Sequence, residues 1–380
     1  VKLALVTPAP PLRGGPVQYA AQLYAQLAER GHSVHVIGFR RQYPTWLFPG
    51  RTQYEVGGQS LHLPNEPLFD PLAPFSWVRA ARRLQQLEPD GVLFQYWMPF
   101  FAPGYGAVAW LCHRWTRARV VLLAHNVKPH ERQPGGQLLT RWLLAQCDGF
   151  LVQSAAVQSE LLALRPGAHC ARAPHPVHDI FECALTCDEA RAQLGLPAGA
   201  PVLLFFGHVR PYKGLGVLLD AMARVRRALP AAHLIVAGEF YQDRRPYERQ
   251  IAALGLAGAV TMVDRFIPRE QVGLYFVAAD LVALPYLDAS QSGIIPIAYY
   301  HDRPVIATAA GGLPEQVAEG ETGCLVPPRD PDALARAIVR FWTEADRASM
   351  AAHIRARRLE CTWERLAQAV EKLCDRDSPL

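Results

Sequence analysis

The sequence predicts an α/β fold of two domains, each built on a parallel sheet, from three observations. Short apolar runs such as VLLFF at residues 202–206 are suited to strands buried on both faces, and amphipathic helical stretches alternate with them. At 380 residues the chain is long enough for two cores of ordinary size. A proline-punctuated stretch, residues 166–181, lies near the middle and reads as an interdomain hinge. The predicted domains are residues 1–175 and 182–360, with a last segment, 361–380, holding a final amphipathic helix.

Composition narrows the class. Half the residues are hydrophobic and 19% are charged, as expected of sheets covered on both sides. The net charge of +5 is mildly basic and diffuse, which suits an anionic nucleotide or a membrane surface but not nucleic acid. The eight cysteines show no C-x-x-C spacing and read as buried thiols of a reducing compartment. The cluster Cys170, His175, His178, Cys183 and Cys187 matches no usual zinc spacing, so a linker is the better reading. Residues 2–7 already form a strand, so no signal peptide is expected at this end. Residues 91–112 carry no ionisable Asp, Glu, Lys, Arg or His, yet Pro99, Pro103, Gly104 and Gly106 break them into strand, turn and helix rather than a membrane span. A cytoplasmic protein is expected, at most lying on a membrane.

In the first half, strands are expected at residues 2–7, 33–38, 91–96, 120–123 and 149–153, and helices at 17–30, 77–87 and 137–146. The loop PAPPLRGGP lacks G-x-G-x-x-G, which argues against a dinucleotide site. Gly14 and Gly15 let the backbone approach a ligand closely, or simply make a turn. Residues 40–75 have poor periodicity and read as loops and short strands. Within them Trp46, Leu47 and Phe48, beside Arg40, Arg41 and Arg51, either touch a lipid interface or pack on their own domain. The strand at 120–123 delivers His125 and Asn126 to its carboxyl end, where a side chain faces a crevice. His130 and Glu131 follow within one turn, as acceptor contacts or as helix caps.

In the second half, strands are expected at 202–206, 233–237, 259–263, 280–284 and 304–308. Helices are expected up to 229, at 247–254, after Pro268 and near Ile294, with residues 331–357 helical throughout. After the strand at 202–206 come Gly207, two cations, Arg210 and Lys213, and Gly214 opening a helix. A strand's carboxyl end followed by a helix N-terminus and two cations suits a diphosphate; the alternative is a solvated turn.

The run FFGHVRPYKG, followed downstream by PVIATAAGGLPEQVAEGETGCLVPP, resembles the donor-binding domain of family 4 glycosyltransferases. The first half is similar to the acceptor domain of the same fold. The resemblance implies the GT-B architecture: two Rossmann-like domains facing a central cleft, the C-terminal helix crossing back to the N-terminal domain. It implies retaining transfer of a sugar from a nucleotide diphosphate sugar to an unknown acceptor hydroxyl, a glycan or lipid-linked sugar among the candidates. His125 would contact the transferred sugar, and Gly14 and Gly15 would face the donor phosphates or the acceptor. Arg210 and Lys213 would stabilise the leaving diphosphate in the role a divalent metal has elsewhere. Neither a metal nor another cofactor is expected.

The sequence departs from the family at one place. Where two glutamates eight residues apart are usual, it has Ala289 and Ile297, and the turn between them is Ser290-Gln291-Ser292-Gly293. Ser292 and Gly293 still offer backbone N–H groups, Asp288 stands one position away, and Glu315 in GGLPE is the remaining acidic candidate. The same departure suits a catalytically silent relative that binds a glycan or a partner enzyme. A sugar-nucleotide epimerase is a third reading.

Overall fold

The computed structural model describes all residues except 47, 49, 56–60, 129–134, 178 and 376–380. Two compact units are present: Val1–Pro176 with Cys361–Leu380, and Val177–Glu360.

In the first unit the chain runs β1 (Lys2–Thr7), α1 (Gly15–Glu29), β2 (Ser33–Phe39), β3 (Glu66–Phe69), α2 (Pro74–Leu87) and β4 (Gly91–Tyr96). A 3₁₀ turn at Pro99–Phe101 leads into α3 (Ala102–Trp115), then β5 (Arg119–Ala124), α4 (Gly136–Ala145), β6 (Gly149–Val152), α5 (Ala155–Leu164) and β7 (Cys170–Arg172). The seven strands lie in the order β3-β2-β1-β4-β5-β6-β7, all parallel. β4 is buried at every position, because an all-apolar run with one glutamine has a helix layer on each side. Residues 91–112 are thus strand, turn and helix, as expected from their prolines and glycines.

The second unit runs α6 (Cys187–Gln193), β8 (Val202–Phe206), a 3₁₀ turn at Pro211–Lys213, α7 (Leu215–Ala228), β9 (His233–Ala237), α8 (Arg245–Ala253), β10 (Val260–Val263) and α9 (Arg269–Ala278). It continues with β11 (Leu281–Leu284), α10 (Ile294–Tyr300), β12 (Val305–Thr308), α11 (Leu313–Gln316), β13 (Gly323–Val326), α12 (Pro331–Thr343) and α13 (Arg347–Arg358). The parallel order is β10-β9-β8-β11-β12-β13. In both sheets the order reverses beside the first strand, between β1 and β4 and between β8 and β11. The carboxyl edge at such a reversal is where open α/β sheets bind ligands.

The last helix, α14 (Trp363–Cys374), belongs to the first unit. Its face of Trp363, Leu366, Ala367, Val370, Leu373 and Cys374 is buried beside Leu5, Leu93, Leu123 and Leu151 of the sheet. Arg30 grips Glu371 through two hydrogen bonds of 2.6 and 2.9 Å, and His32 meets the same carboxylate at 2.6 Å. These contacts hold the Glu371 carboxyl below its ordinary range, the Arg30 hydrogen bond most of all.

The segment read as a hinge holds the division between the two units, after Pro176, and its first part contains β7, an edge strand paired with β6. The helical stretch expected over 331–357 is two helices, separated at 344–346, where Asp346 accepts from the Ser349 backbone N–H (3.0 Å) and caps α13. Residues 155–164 and 323–326 form α5 and β13, neither of which was expected.

Candidate functional site

At the carboxyl edge of the first sheet a chain of polar side chains joins four strands and a helix. Thr7 at the end of β1 donates its hydroxyl to Gln95 Oε1 (2.5 Å), and Gln95 Nε2 meets His125 Nε2 at 2.8 Å. His125 Nδ1 lies 2.8 Å from Gln153 Oε1, and Gln153 Nε2 donates to the Tyr19 hydroxyl (2.9 Å). One proton arrangement fits these contacts: the amide of Gln95 donates to Nε2, and Nδ1–H donates to Gln153. The imidazole edge also meets the Tyr19 ring at 4.8 Å, and His175 packs on that ring at 5.4 Å.

Burial, reinforced by the neighbouring His175, pushes the His125 pKa down to about 3 against the opposing hydrogen bond it donates to Gln153. Burial likewise brings His175 down to about 4, opposed by its hydrogen bond with the Pro176 carbonyl. Both are therefore neutral in the folded chain at neutral pH. A depressed folded pKa stabilises above the unfolded value near 6.5, and that contribution is lost as pH falls through the folded value. Stability should therefore fall between pH 6.5 and about 4 with a slope approaching about 1.4 kcal/mol per pH unit for each histidine. A His125→Asn/His175→Asn variant should show a shallower acid limb in urea titrations; an unchanged limb would mean these rings are not held neutral.

Gly14, with φ +112°, precedes α1, and Gly15 opens it, exposed. Asn126 is half-buried beside His125. His130, Glu131, Leu47 and His178 lie outside the described residues. Phe48 stacks on Tyr43 (6.0 Å) and Arg41 pairs with Asp70 (2.9 Å), so these side chains pack on their own unit, while Trp46 is exposed. Among the described residues no group of three or more His, Cys, Asp or Glu is arranged to hold a metal ion.

The second sheet gathers three loops at its carboxyl edge. After β8, Gly207 adopts φ +93°, and a side chain there would meet Lys213 Nζ at 3.2 Å and Ile294 Cδ1 at 3.4 Å. Gly214, with φ +70°, sits where any Cβ would run into the Pro285 carbonyl oxygen. The Leu287 N–H donates to the Tyr212 carbonyl (2.6 Å), tying this loop to the one after β11. Lys213 Nζ lies over the Tyr286 ring at 5.4 Å, and Arg210 over the Tyr241 ring at 5.0 Å. Burial lowers the Lys213 pKa, the Arg210 charge pushing the same way against Tyr212. Among the described residues no carboxylate forms an ion pair with Lys213.

The turn Ser290–Gly293 is held from the third loop. Gln316 accepts from the Ser292 N–H (2.7 Å) and donates to the Ser292 carbonyl (3.1 Å), while the Gly312 N–H donates to the Ala289 carbonyl (3.1 Å). Burial pushes the Tyr286 phenol up to about 12, the nearby Ser292 side chain opposing it. Ala289 and Ile297 are buried in the core, so no carboxylate stands where the resemblance expects two. Asp288 and Glu315 are exposed, and Arg357 donates to the Glu315 carbonyl (3.1 Å). The structure thus unites Gly207, Lys213 and the turn 290–293, and puts Gln316 on that turn. Sequence reasoning missed Gln316, Tyr286 and Tyr241, which lie far along the chain from the groups they meet and so leave no local signal.

Known proteins resemble the chain over both units. A model of "Glycosyltransferase Family 4" matches residues 13–179, and one of "Glycosyl transferases group 1" matches residues 200–344. A D-inositol 3-phosphate glycosyltransferase of Corynebacterium urealyticum is 28% identical over 344 residues, 84% of this chain and 79% of the relative. Sucrose-phosphate synthase from Thermosynechococcus elongatus has a TM-score of 0.77 at 24% identity, covering 98% of both chains. The Anabaena protein HepE, solved in complex with UDP-glucose, has a TM-score of 0.76 at 19% identity over 98% of both chains. Two family models side by side, on two parallel-sheet domains of the GT-B fold, show that the chain belongs to glycosyltransferase family 4 and is a glycosyltransferase.

Proposed function

We propose that the enzyme moves a glycosyl group from a nucleotide diphosphate sugar to an acceptor hydroxyl, with retention at the anomeric carbon, in the synthesis of a glycan, glycolipid or polysaccharide. The observation that carries this reading is Lys213: a half-buried ammonium, lowered in pKa, at the carboxyl edge of the second sheet beside Arg210 and the first turn of α7. A cation held out of water without a carboxylate is poised for an anion that arrives with the substrate. Bond breaking leaves charge on the diphosphate and an oxocarbenium-like sugar. Arg210, Lys213 and the backbone N–H groups of α7 take up the developing anion in the role of a metal, and the turn 290–293 offers N–H groups to the sugar or phosphate. In this reading the second unit binds the donor and the first the acceptor, His125 contacting the transferred sugar.

A panel of nucleotide sugars tests the reading, with uridine diphosphate sugars first because HepE was solved with one. A donor at a hundred times its Kd stabilises the folded state by about 2.7 kcal/mol, a rise of roughly 5–10 °C in Tm for a unit of this size. The shift should vanish in Lys213→Ala, and an α-linked donor should give an α-linked product by NMR. No shift with any donor, or an inverted product, would overturn it.

A further inference from the structure

Helices α2, α3 and α4 pack side by side on one face of the first sheet. Together they contain no aspartate or glutamate. Their exposed charges are Arg79, Arg82, Arg114 and Arg141, while Arg83 is taken up by Glu66 of β3. The other helices of the unit differ: α1 holds Glu29, α5 Glu160, and α14 both Glu364 and Glu371.

Among the arginines stand large apolar side chains that the fold leaves in water. Leu138 is 70% exposed, Trp110 47%, Trp142 41% and Leu139 40%. Leu138, Leu139 and Trp142 lie three and four residues apart on one side of α4. The Trp142 ring reaches across to α3 and lies where any side chain at Gly106 would stand. One turn further on, Trp110 carries the Arg114 guanidinium over its ring at 4.8 Å. Tryptophan and leucine interleaved with arginine on a helix face make a surface that lies in the headgroup layer of a bilayer.

We infer that the α2–α3–α4 face of the first unit docks on a membrane surface bearing anionic headgroups, with Trp110, Leu138, Leu139 and Trp142 entering the headgroup boundary. Charge selects this occupant over a second copy of the chain. A two-fold contact would set the same patch against itself, and helices that carry cations and no acids of their own would repel their twins. The inference goes beyond the transferase reading, and its test reads partition rather than turnover, so the two fail separately.

The experiment is co-sedimentation of the full chain with phosphatidylcholine vesicles, with and without phosphatidylglycerol. Binding is expected only to the anionic vesicles, weakening as salt is raised. Each arginine near such a surface contributes enough that Arg114→Glu/Arg141→Glu should lower the partition coefficient by about thirtyfold or more. Leu138→Gln should also weaken binding, and an unchanged melting curve will show that each variant folds. The matched reversal Arg227→Glu/Arg336→Glu, on helices of the second unit, should bind like the parent. The inference fails if the parent does not sediment with anionic vesicles at low salt, or if the two double reversals behave alike. It fails equally if the lipid-free chain is a dimer that the Arg114/Arg141 reversal dissociates.

Discussion

Replacing Lys213 by alanine is expected to lower kcat/KM by about a hundredfold or more, since one donor to a developing anion is worth roughly 3 kcal/mol. The loss should come without loss of stability. The ammonium is half-buried, its charged form is penalised by burial, and no carboxylate among the described residues pairs with it. Removing such a charge relieves the folded state, so the Tm of the ligand-free variant should equal or exceed that of the parent. A structural role would give the opposite, a lower Tm with a modest change of rate. The pH dependence has a definite sign. A bound diphosphate favours the charged amine and raises its pKa, so nucleotide affinity should fall as pH rises through the depressed pKa of the free chain. Thermal shifts at saturating nucleotide across an alkaline series would show this, and a pH-independent shift in the parent would remove Lys213 from the site.

Leu366→Ala is expected to destabilise the first unit by about 2–5 kcal/mol, the cost of a cavity in a closed core. Leu366 has no exposed surface, and α14 brings it from the far end of the chain onto β-strands formed within the first half. Gln368→Ala, two residues on and exposed, should stay within about 0.5 kcal/mol of the parent. Urea denaturation of both variants decides the matter. If they behaved alike, α14 would be an appendage and not part of the core. The assay should also find the second unit's transition unmoved by either change.

Much of the architecture was legible because parallel sheets write themselves as apolar runs. The strands expected at 202–206 and 233–237 have those bounds in the structure, and β4 does too. The misses have physical reasons. β7 is a three-residue edge strand of mixed character, CAR, so it lacks the apolar signature of a central strand. β13 is short and begins at Gly323, inside a glycine-punctuated run. The break between α12 and α13 was written in Asp346, a side-chain cap, but the helical periodicity on either side masked it.

The sequence by itself determined what depends on neighbours in the chain: two runs of alternating strand and helix, glycines at the strand ends, and a pair of cations entering a helix after β8. It also determined what was missing, since Ala289 and Ile297 cannot accept hydrogen bonds from a ribose. Only the tertiary structure decided what depends on residues far apart. Gln95 and Gln153 reach His125 from β4 and from the end of β6, and burial keeps the ring neutral against the Gln153 hydrogen bond. Gln316 clamps the turn at Ser292 from another loop. Three helices with no acid among them become a surface only when they lie side by side. Local pattern reports backbone preference and periodicity, whereas hydrogen-bond partners, desolvation and surface charge are properties of the packed chain.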